Sequence, residues 1–241
     1  MRVAIYTAVL GDYDELKEVP TQDVECDLIC FTDRPKARRG NCWRVMPVAR
    51  KRELHPRMQA KYYKIMSQEI FPGGRLAFRY DPASALRFSR PRYDVTIWID
   101  ASVLIRSRSF ARDISGFIGQ SGWAMFSHPR RDCIFDEASV SAGMAKYHAM
   151  PIQEQVDYYR KTGVKAKSGL YACGVIARKE PLPESLRKAS ELWWNENVTW
   201  TYQDQLSLPF VLTRLKIGVD QIEGDLWNNK WFDLAAHKHE Y

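Results

Sequence analysis

Long apolar runs, a complete set of cysteine pairs and the common nucleotide-binding motifs are all missing from this sequence of 241 residues. No apolar run approaches the ~20 residues that a bilayer-spanning helix needs. The five cysteines are an odd number, which argues against a complete disulfide framework. The P-loop, G-x-G-x-x-G and G-x-S-x-G patterns are absent, which disfavours ATPases, dinucleotide oxidoreductases and α/β-hydrolases.

The few cysteines that are present have spacings that do not suggest a metal site. Cys26 and Cys30 lie in the segment ECDLICF, whose alternation is typical of a strand. No second pair of Cys or His follows at a matching spacing. We therefore expect these two thiols, with Cys42, Cys133 and Cys173, to be buried structural residues.

The composition indicates a folded chain with one core. Hydrophobic residues make up 45% and charged residues 27%, close to the averages for globular proteins. A chain of this length can bury one full core, so we expect a single domain over residues 1–241. The N-terminal segment lacks a small-residue cleavage site, so it predicts a strand rather than a signal peptide. The expected location is cytoplasmic.

Positive charge is in excess, since Lys and Arg number 36 against 29 Asp and Glu. Basic clusters at 36–39, 50–52 and 75–92 would attract phosphorylated substrates, anionic membrane surfaces or nucleic acid. Ordinary solubility charge explains them equally well. Because no RNA-binding aromatic motif is present, no specific nucleic acid is expected. Peripheral contact with an anionic membrane, at the inner membrane face, is compatible with this charge.

Strand and helix patterns alternate along the chain. The strand patterns cover Arg2–Leu10, Asp27–Phe31, Trp43–Val48, Asp94–Asp100, Gly122–Ser127 and Gly169–Arg178. The helix patterns cover Pro56–Phe71, Ser107–Ile118, Asp136–Tyr147, Pro151–Lys161, Pro183–Asn197 and Tyr202–Leu215. The alternation predicts an α/β fold with a mixed, mainly parallel sheet and helices on both faces. Residues 73–92 predict a basic loop or insertion, and residues 217–241 a strand-like piece and a tail.

The strand ends are the first place to look for chemistry, because ligands of such sheets bind at the carboxyl ends of the strands. The segment Trp98-Ile99-Asp100-Ala101-Ser102 delivers an acid at such an end. A carboxylate there could hold Mg²⁺ or Mn²⁺ against a diphosphate leaving group. The usual pattern is Asp-x-Asp, whereas Ser102 stands at the third position here. The alternative is that Asp100 caps the turn after the strand.

Three charged residues on helical segments are further candidates. Arg57 and Lys61 are four residues apart, so both could reach one diphosphate from the same helix face, or could form an exposed basic face. Asp204 could be a helix-start residue, or it could face the cleft and assist catalysis.

Two groups of polar residues near strand and chain ends complete the candidates. His128 and Asp132 belong to a polar segment that follows a predicted strand. This segment could hold phosphate or an acceptor, or it could form a solvated loop. His237 and His239 lie in the tail and could complete a metal shell, although paired histidines in a tail also occur by chance.

Several motifs in a fixed order carry a family resemblance. They are Tyr6-Thr7-Ala8 with Gly11-Asp12-Tyr13-Asp14, Cys30-Phe31-Thr32-Asp33, Pro56-Arg57 through Ala60-Lys61-Tyr62-Tyr63-Lys64, Trp98-Ile99-Asp100, His128–Ala138, Gly169–Gly174 and Asp204–Pro209. This set, from Tyr6 to about Leu212, resembles the glycosyltransferase-like domain family of the TOD/MUCI type. The resemblance implies a GT-A-like, Rossmann-type fold and a nucleotide-sugar donor, with a UDP-sugar favoured.

The resemblance also implies roles for individual positions. It implies that the nucleoside is contacted by Tyr6, Thr7, Ala8 and Asp33. It implies that the donor phosphates are contacted by Arg57 and Lys61. It implies that a Mn²⁺ or Mg²⁺ ion is bound by Asp100 and Ser102, with His237 or His239 as a further ligand. It implies that His128, Arg131 and Asp132 lie near the sugar or the acceptor, and that Asp204 approaches the reacting centre.

The expected activity is therefore that of a glycosyltransferase in polysaccharide biosynthesis. It would move a hexose from a nucleotide-sugar to a hydroxyl of a glycan or a lipid-linked acceptor. One alternative is a nucleotidyltransferase of similar fold, although such enzymes carry a basic Gly-rich loop where Gly11-Asp12-Tyr13-Asp14 is acidic. Another is a non-catalytic module that binds sugar or nucleic acid.

Overall fold

In this computed structural model the described residues are 1–11, 13–35, 42–76 and 92–236. Their strands are β1 (Arg2–Val9), β2 (Glu25–Thr32), β3 (Arg44–Pro47), β4 (Val95–Ile99), β5 (Val103–Ile105), β6 (Trp123–Ser127), β7 (Tyr171–Lys179), β8 (Asp220–Ile222) and β9 (Phe232–Leu234). Their α-helices are α1 (Pro56–Ile65), α2 (Ser67–Ile70), α3 (Phe110–Gly116), α4 (Ile134–Ala142), α5 (Ile152–Lys161), α6 (Glu184–Thr199) and α7 (Asp204–Leu215).

Seven of these strands form one sheet in the order β3-β2-β1-β4-β7-β6-β8, and β5 pairs with β9 in a second, two-stranded sheet. The pairs β1–β2, β1–β4, β2–β3 and β6–β8 are parallel. Strand β7 is antiparallel to both β4 and β6. The predicted mixed, mainly parallel sheet is confirmed, and β1, β2 and β4 bring their carboxyl ends to one edge of it.

The central strand β1 explains the two layers of the core. Ala4, Tyr6 and Ala8 face the layer that contains α1 and α4 to α7. Val3 and Ile5 face the opposite layer, which contains α3 and the small β5–β9 sheet. Because both faces of the strand are covered, its run of apolar residues is nearly continuous rather than alternating. The prediction of helices on both faces is therefore confirmed.

Some local predictions need correction. The single helix predicted over Pro56–Phe71 is divided at Met66, whose backbone N–H donates to the Tyr62 carbonyl. Strand β5 lies in a segment for which no strand was predicted, because three residues are too few for a periodic pattern. The strand-like piece of the tail consists of β8 and β9.

All five cysteines were predicted to be buried, and this is confirmed for three, partly true of one and wrong for one. Cys30, Cys133 and Cys173 are buried, Cys26 is half-buried, and Cys42 is exposed because it precedes β3 in a loop. All five lie within the described residues and form no disulfide.

Two other predictions fall wholly or partly outside the described residues. Most of the predicted basic loop, residues 77–91, is not described, and neither are residues 237–241 of the tail. None of the described helices is both long and apolar enough to cross a membrane.

Candidate functional site

The edge formed by the carboxyl ends of β1 and β2 is joined directly to α1. The carboxylate of Asp33, just after β2, accepts the backbone N–H of Gly11 at 3.1 and 3.2 Å. Gly11 has φ +73°, and a Cβ there would lie 2.9 Å from the Pro56 ring. Glycine therefore permits both the left-handed turn after β1 and the close approach of the first turn of α1. This contact holds the basic face of α1 over the strand ends.

Asp100 is fixed at the end of β4 by three neighbouring elements. Its Oδ1 accepts the indole N–H of Trp98 at 2.8 Å and the ammonium of Lys64 at 3.2 Å. Its backbone N–H donates to the Gly174 carbonyl at the start of β7, at 2.8 Å. The Asp100 side chain remains 38% exposed, so the predicted strand-end acid does face the cleft.

Asp204 begins α7 and meets the same lysine from the opposite side. Its Oδ2 lies 2.6 Å from Lys64 Nζ and 2.7 Å from Lys61 Nζ. Its carbonyl accepts the buried indole N–H of Trp193 at 3.0 Å, which fixes the start of the helix. Burial would raise the pKa of the Asp204 carboxyl, but the two ammonium groups lower it to about 2. The carboxylate is therefore ionised and is a poor proton acceptor at neutral pH.

Lys61 and Lys64 lie three residues apart on α1, so their side chains share one face of that helix. Burial lowers the pKa of Lys61. Burial would also lower the pKa of Lys64, but Asp100 and Asp204 raise it above its ordinary value. We refer to Lys61, Lys64, Asp100 and Asp204 as the lysine–aspartate cluster. Its four formal charges sum to zero, with only Lys61 and Asp100 partly exposed.

A second set of cations surrounds the mouth of this cluster. Lys146, in the short 3₁₀ helix Ala145–Tyr147, has its ammonium 4.9 Å from the centre of the Tyr147 ring. Burial lowers the pKa of Lys146, and the nearby charges of Lys61 and Arg57 lower it further. We call Arg57, Lys61 and Lys146 the cationic rim.

Tyr202 links two members of the rim. Its hydroxyl donates to the Lys146 carbonyl, and its side chain also hydrogen-bonds to Arg57. Its ring stacks on His55, the residue before α1, with centroids 5.3 Å apart. Tyr202 therefore holds the start of α1 and the 3₁₀ helix on the same side of the cleft.

His128 and Arg131 both lie against the buried carboxylate of Glu137. The Nδ1 atom of His128 accepts the backbone N–H of Arg131 at 3.0 Å, and its Nε2 lies 3.6 Å from Glu137. Arg131 Nε donates to Glu137 at 2.6 Å, and the Gln203 amide donates to the same carboxylate at 3.0 Å. Ser141 also donates to it, at 3.2 Å. We call these five residues the Glu137 network.

The Glu137 network is internal. The side chains of His128 and Glu137 are only 6% and 3% exposed, and burial lowers the pKa of His128. Because Gln203 immediately precedes Asp204, the network positions the start of α7. Asp132 is exposed, and its carbonyl accepts the Gly169 N–H at 3.1 Å. The roles that the resemblance implies for His128 and Asp132 stay predictions.

The β1 residues implied for the nucleoside lie in the core. Tyr6 is fully buried, and its hydroxyl accepts from Arg178 at 3.2 Å. Burial raises the Tyr6 pKa to about 12. Thr7 and Ala8 are each only 1% exposed. Since β1 is central and covered on both faces, these side chains do not reach the cleft, and Asp33 alone of the four lies at its edge.

The described residues do not fit a resident divalent ion. Among residues 1–11, 13–35, 42–76 and 92–236, no group of three or more His, Cys, Asp and Glu could hold a metal. Lys64 occupies the position between the two carboxylates, and Oδ1 of Asp100 already accepts two N–H donors. Ser102 is half-buried in the turn before β5, and its carbonyl accepts the Ala235 N–H. His237 and His239 lie outside the described residues.

Sequence reasoning overlooked the parts of the site that depend on distant contacts. It identified Asp100, Asp204 and Lys61, which the fold brings together around Lys64, and Arg57, which hydrogen-bonds to Tyr202. The spacing of Lys61 and Lys64 could have indicated a shared helix face. Nothing in the local sequence around Lys146 indicates that it belongs to the same cleft.

The seven-stranded mixed sheet, with its charged cluster at the carboxyl ends of the strands, defines a GT-A-like domain of Rossmann type. A model of the family described as TOD1/MUCI70, glycosyltransferase-like domain, matches residues 31–238. The chain belongs to this family. No curated protein matches the chain.

Proposed function

We propose that this protein is a glycosyltransferase that moves a hexose from a nucleotide-sugar diphosphate to an acceptor hydroxyl. The observation that carries the proposal is the convergence of Lys61, Lys64, Asp100 and Asp204 at the carboxyl edge of the sheet, beneath Arg57 and Lys146. Cations fixed at this edge suit a diphosphate, because α/β sheets bind their ligands there. Family membership supports the transferase class.

The proposed reaction exchanges one bond at the anomeric carbon for another. The acceptor hydroxyl oxygen bonds to that carbon, and the bond from the carbon to the diphosphate oxygen breaks. The electron pair of the broken bond leaves with the diphosphate, and the hydroxyl proton passes to solvent. Lys61 and Arg57 would stabilise the negative charge that develops on the leaving group. Asp204, with its lowered pKa, would orient Lys61 and Lys64 rather than accept the proton.

Asp33 is the residue best placed to approach the nucleoside. It is partly exposed and lies at the end of β2, joined to the β1 turn through Gly11. A carboxylate at this position can accept a hydrogen bond from a ribose hydroxyl. We favour a UDP-sugar as the donor.

Trp227 marks the acceptor side in this proposal. Its indole is 51% exposed and lies 4.4 Å beneath the Arg130 guanidinium. The adjacent Leu226 packs close to Gly174, where a Cβ would be 3.2 Å from Leu226 and 3.7 Å from Asp100 Oδ2. An exposed aromatic ring beside the cleft could stack on a sugar of a glycan acceptor. A lipid-linked acceptor would fit with peripheral contact of the basic chain at a membrane surface in the cytoplasm.

A donor panel tests the proposal. Purified protein is incubated with UDP-, GDP-, CMP- and ADP-sugars and a mixture of glycan acceptors, and release of the nucleotide is measured. We expect release from one class of donor, and we expect Lys61→Met to reduce it. Lys188→Met is the matched control, because Lys188 is 65% exposed on α6 and pairs only with Glu184 at 3.8 Å. Tight binding of a donor without release by the wild type would instead favour a non-catalytic binding module.

A further inference from the structure

We propose that side-chain cations, and not a protein-bound divalent ion, hold the donor diphosphate in this protein. The inference rests on the proposed function and deepens it, because it assigns the phosphate contacts to Arg57, Lys61 and Lys146. No sequence pattern placed Lys146 in the site. Lys64 is buried behind these contacts, where its ammonium balances the charges of Asp100 and Asp204.

The first argument concerns the two carboxylates. A divalent ion in such a site neutralises acidic side chains that would otherwise repel one another. Here Lys64 Nζ already lies 3.2 Å from Asp100 and 2.6 Å from Asp204. Lys61 adds a second ammonium 2.7 Å from Asp204. The carboxylates are therefore neutralised by the chain itself, and no charge is left for a metal to balance.

The second argument concerns the available ligands. A divalent ion at Asp100 would compete with the Trp98 indole N–H and the Lys64 ammonium for Oδ1. The position that carries the second acid of an Asp-x-Asp pattern is occupied by Ser102, a neutral hydroxyl. Mg²⁺ and Mn²⁺ in phosphate sites depend on one or more carboxylates in addition to phosphate oxygens. Within the lysine–aspartate cluster, the accessible carboxylate is that of Asp100, and one of its oxygens already accepts two N–H donors.

The third argument concerns the excess of positive charge at the mouth. The formal charges of the lysine–aspartate cluster cancel and Asp33 adds one negative charge at the cleft edge, so Arg57 and Lys146 leave these described groups with a net positive charge. Both are held on one side of the cleft through Tyr202. Burial lowers the pKa of Lys146, and the nearby charges of Lys61 and Arg57 lower it further, which places the three cations near one another. Cations gathered in this way are stabilised by an anion of matching charge, and a diphosphate provides one.

The exposures of the side chains assign different roles to the two central lysines. Lys61 is 20% exposed and can contact a phosphate directly. Lys64 is 1% exposed, and the buried Arg178 fixes its carbonyl through a hydrogen bond of 2.8 Å. Lys64 is therefore a positioning residue whose ammonium balances the negative charges of Asp100 and Asp204 behind the phosphate contacts.

The experiment measures binding of UDP, GDP, CDP and ADP by isothermal titration, in EDTA and in Mn²⁺. For the nucleotide that binds best, we expect the Kd in EDTA to be within about threefold of the Kd in Mn²⁺. We expect Lys146→Met to weaken binding in EDTA by about tenfold or more, since a lost charge-assisted contact is worth about 1.5 kcal/mol or more. Lys188→Met is the control. The Lys146 residue keeps access to solvent although its ammonium is partly desolvated, so this variant should fold, and its circular dichroism spectrum checks that it does.

Asp100→Asn separates the two accounts by the sign of its effect. If side-chain cations hold the diphosphate, the variant binds the nucleotide in EDTA as tightly as the wild type or more tightly, because a nearby negative charge is gone. If a metal on Asp100 holds it, binding depends on Mn²⁺ in the wild type and is lost in Asp100→Asn. That second result would overturn this inference and leave the proposed function standing. Absence of binding by all four nucleotides under both conditions would overturn both.

Discussion

The lysine–aspartate cluster and the Glu137 network use similar charged residues but differ in what remains exposed. In the cluster, Lys61 and Asp100 are 20% and 38% exposed, and Asp204 is almost completely buried. In the network, one buried carboxylate accepts from Arg131, Gln203 and Ser141. The first arrangement leaves charge facing the cleft, while the second satisfies its polar atoms internally. Charged residues near a strand end thus indicate a ligand site only when their hydrogen bonds leave charge accessible.

The two regions are connected through the start of α7. Gln203 belongs to the Glu137 network, and the next residue, Asp204, belongs to the cluster. The network therefore stabilises the segment just before α7, while Lys61 and Lys64 hold the Asp204 carboxylate itself. Variants in the two regions should differ in whether they change stability, ligand affinity or both.

The largest effect is expected for Asp204→Ala. Removing this carboxylate leaves Lys64 buried with only Asp100 as its counter-charge, and breaking a buried ion pair costs about 3–5 kcal/mol. Urea unfolding should show a loss of this size in the free energy of unfolding. Asp132→Ala is the control and should change it by less than about 0.5 kcal/mol, because Asp132 is exposed. Equal effects of the two substitutions would contradict the assignment of Asp204 to a buried cluster.

A somewhat smaller effect is expected for Glu137→Ala. The Arg131 guanidinium and the Gln203 amide would lose their shared acceptor, and unsatisfied buried donors cost about 1–3 kcal/mol, with more for a charged group. We expect the protein to unfold at lower urea but, once folded, to bind a nucleoside diphosphate with nearly unchanged affinity. Glu137→Gln should lose less stability, because it keeps one acceptor. A strong loss of affinity at full stability would place Glu137 in the binding site instead.

The dependence of stability on pH below about 4 is a further test of the lysine–aspartate cluster. Asp204 has a pKa of about 2 in the folded protein against an ordinary value of 3.8. A lowered pKa contributes stability that is present above pH 4 and is lost as the pH falls from about 4 to about 2. The contribution is about 2 kcal/mol. The difference in unfolding free energy between wild type and Asp204→Asn should therefore shrink over that window, and a difference that is independent of pH would contradict this account.

The smallest effect on stability is expected for Lys61→Met. This side chain is one-fifth exposed, and Asp204 keeps Lys64 as a partner in its absence, so we expect a loss of about 1 kcal/mol. The substitution should have a clear effect on affinity, because we expect the Kd for a nucleoside diphosphate to rise about tenfold. Isothermal titration checks the affinity, with Lys188→Met as the exposed control.

Sequence patterns were sufficient for most of the fold and for three of the four residues of the lysine–aspartate cluster. The buried run of β1 and the apolar strand before Asp100 have strong local patterns, so the strands and the strand-end acid were predicted close to their positions. Asp204 was a candidate that the family resemblance supported, whereas its position at a helix start was the structural alternative. The short strand β5 and the division of α1 from α2 have no such local pattern.

The remaining parts of the site depend on contacts between distant segments. Lys64 meets Asp100 across 36 positions in the sequence, and Lys146 reaches the mouth from an irregular segment without periodicity. His128 and Tyr6 illustrate the opposite case. Their motifs belong to the family resemblance, but His128 is buried in the Glu137 network and Tyr6 is buried in the core.

The most direct test of the central claim is to titrate wild type, Lys61→Met and Glu137→Gln with the nucleoside diphosphate that binds best. The account predicts that Lys61→Met binds about tenfold more weakly while Glu137→Gln binds with a Kd within about threefold of the wild type. The reverse order, with affinity lost in Glu137→Gln and kept in Lys61→Met, would contradict it and place the ligand at the Glu137 network.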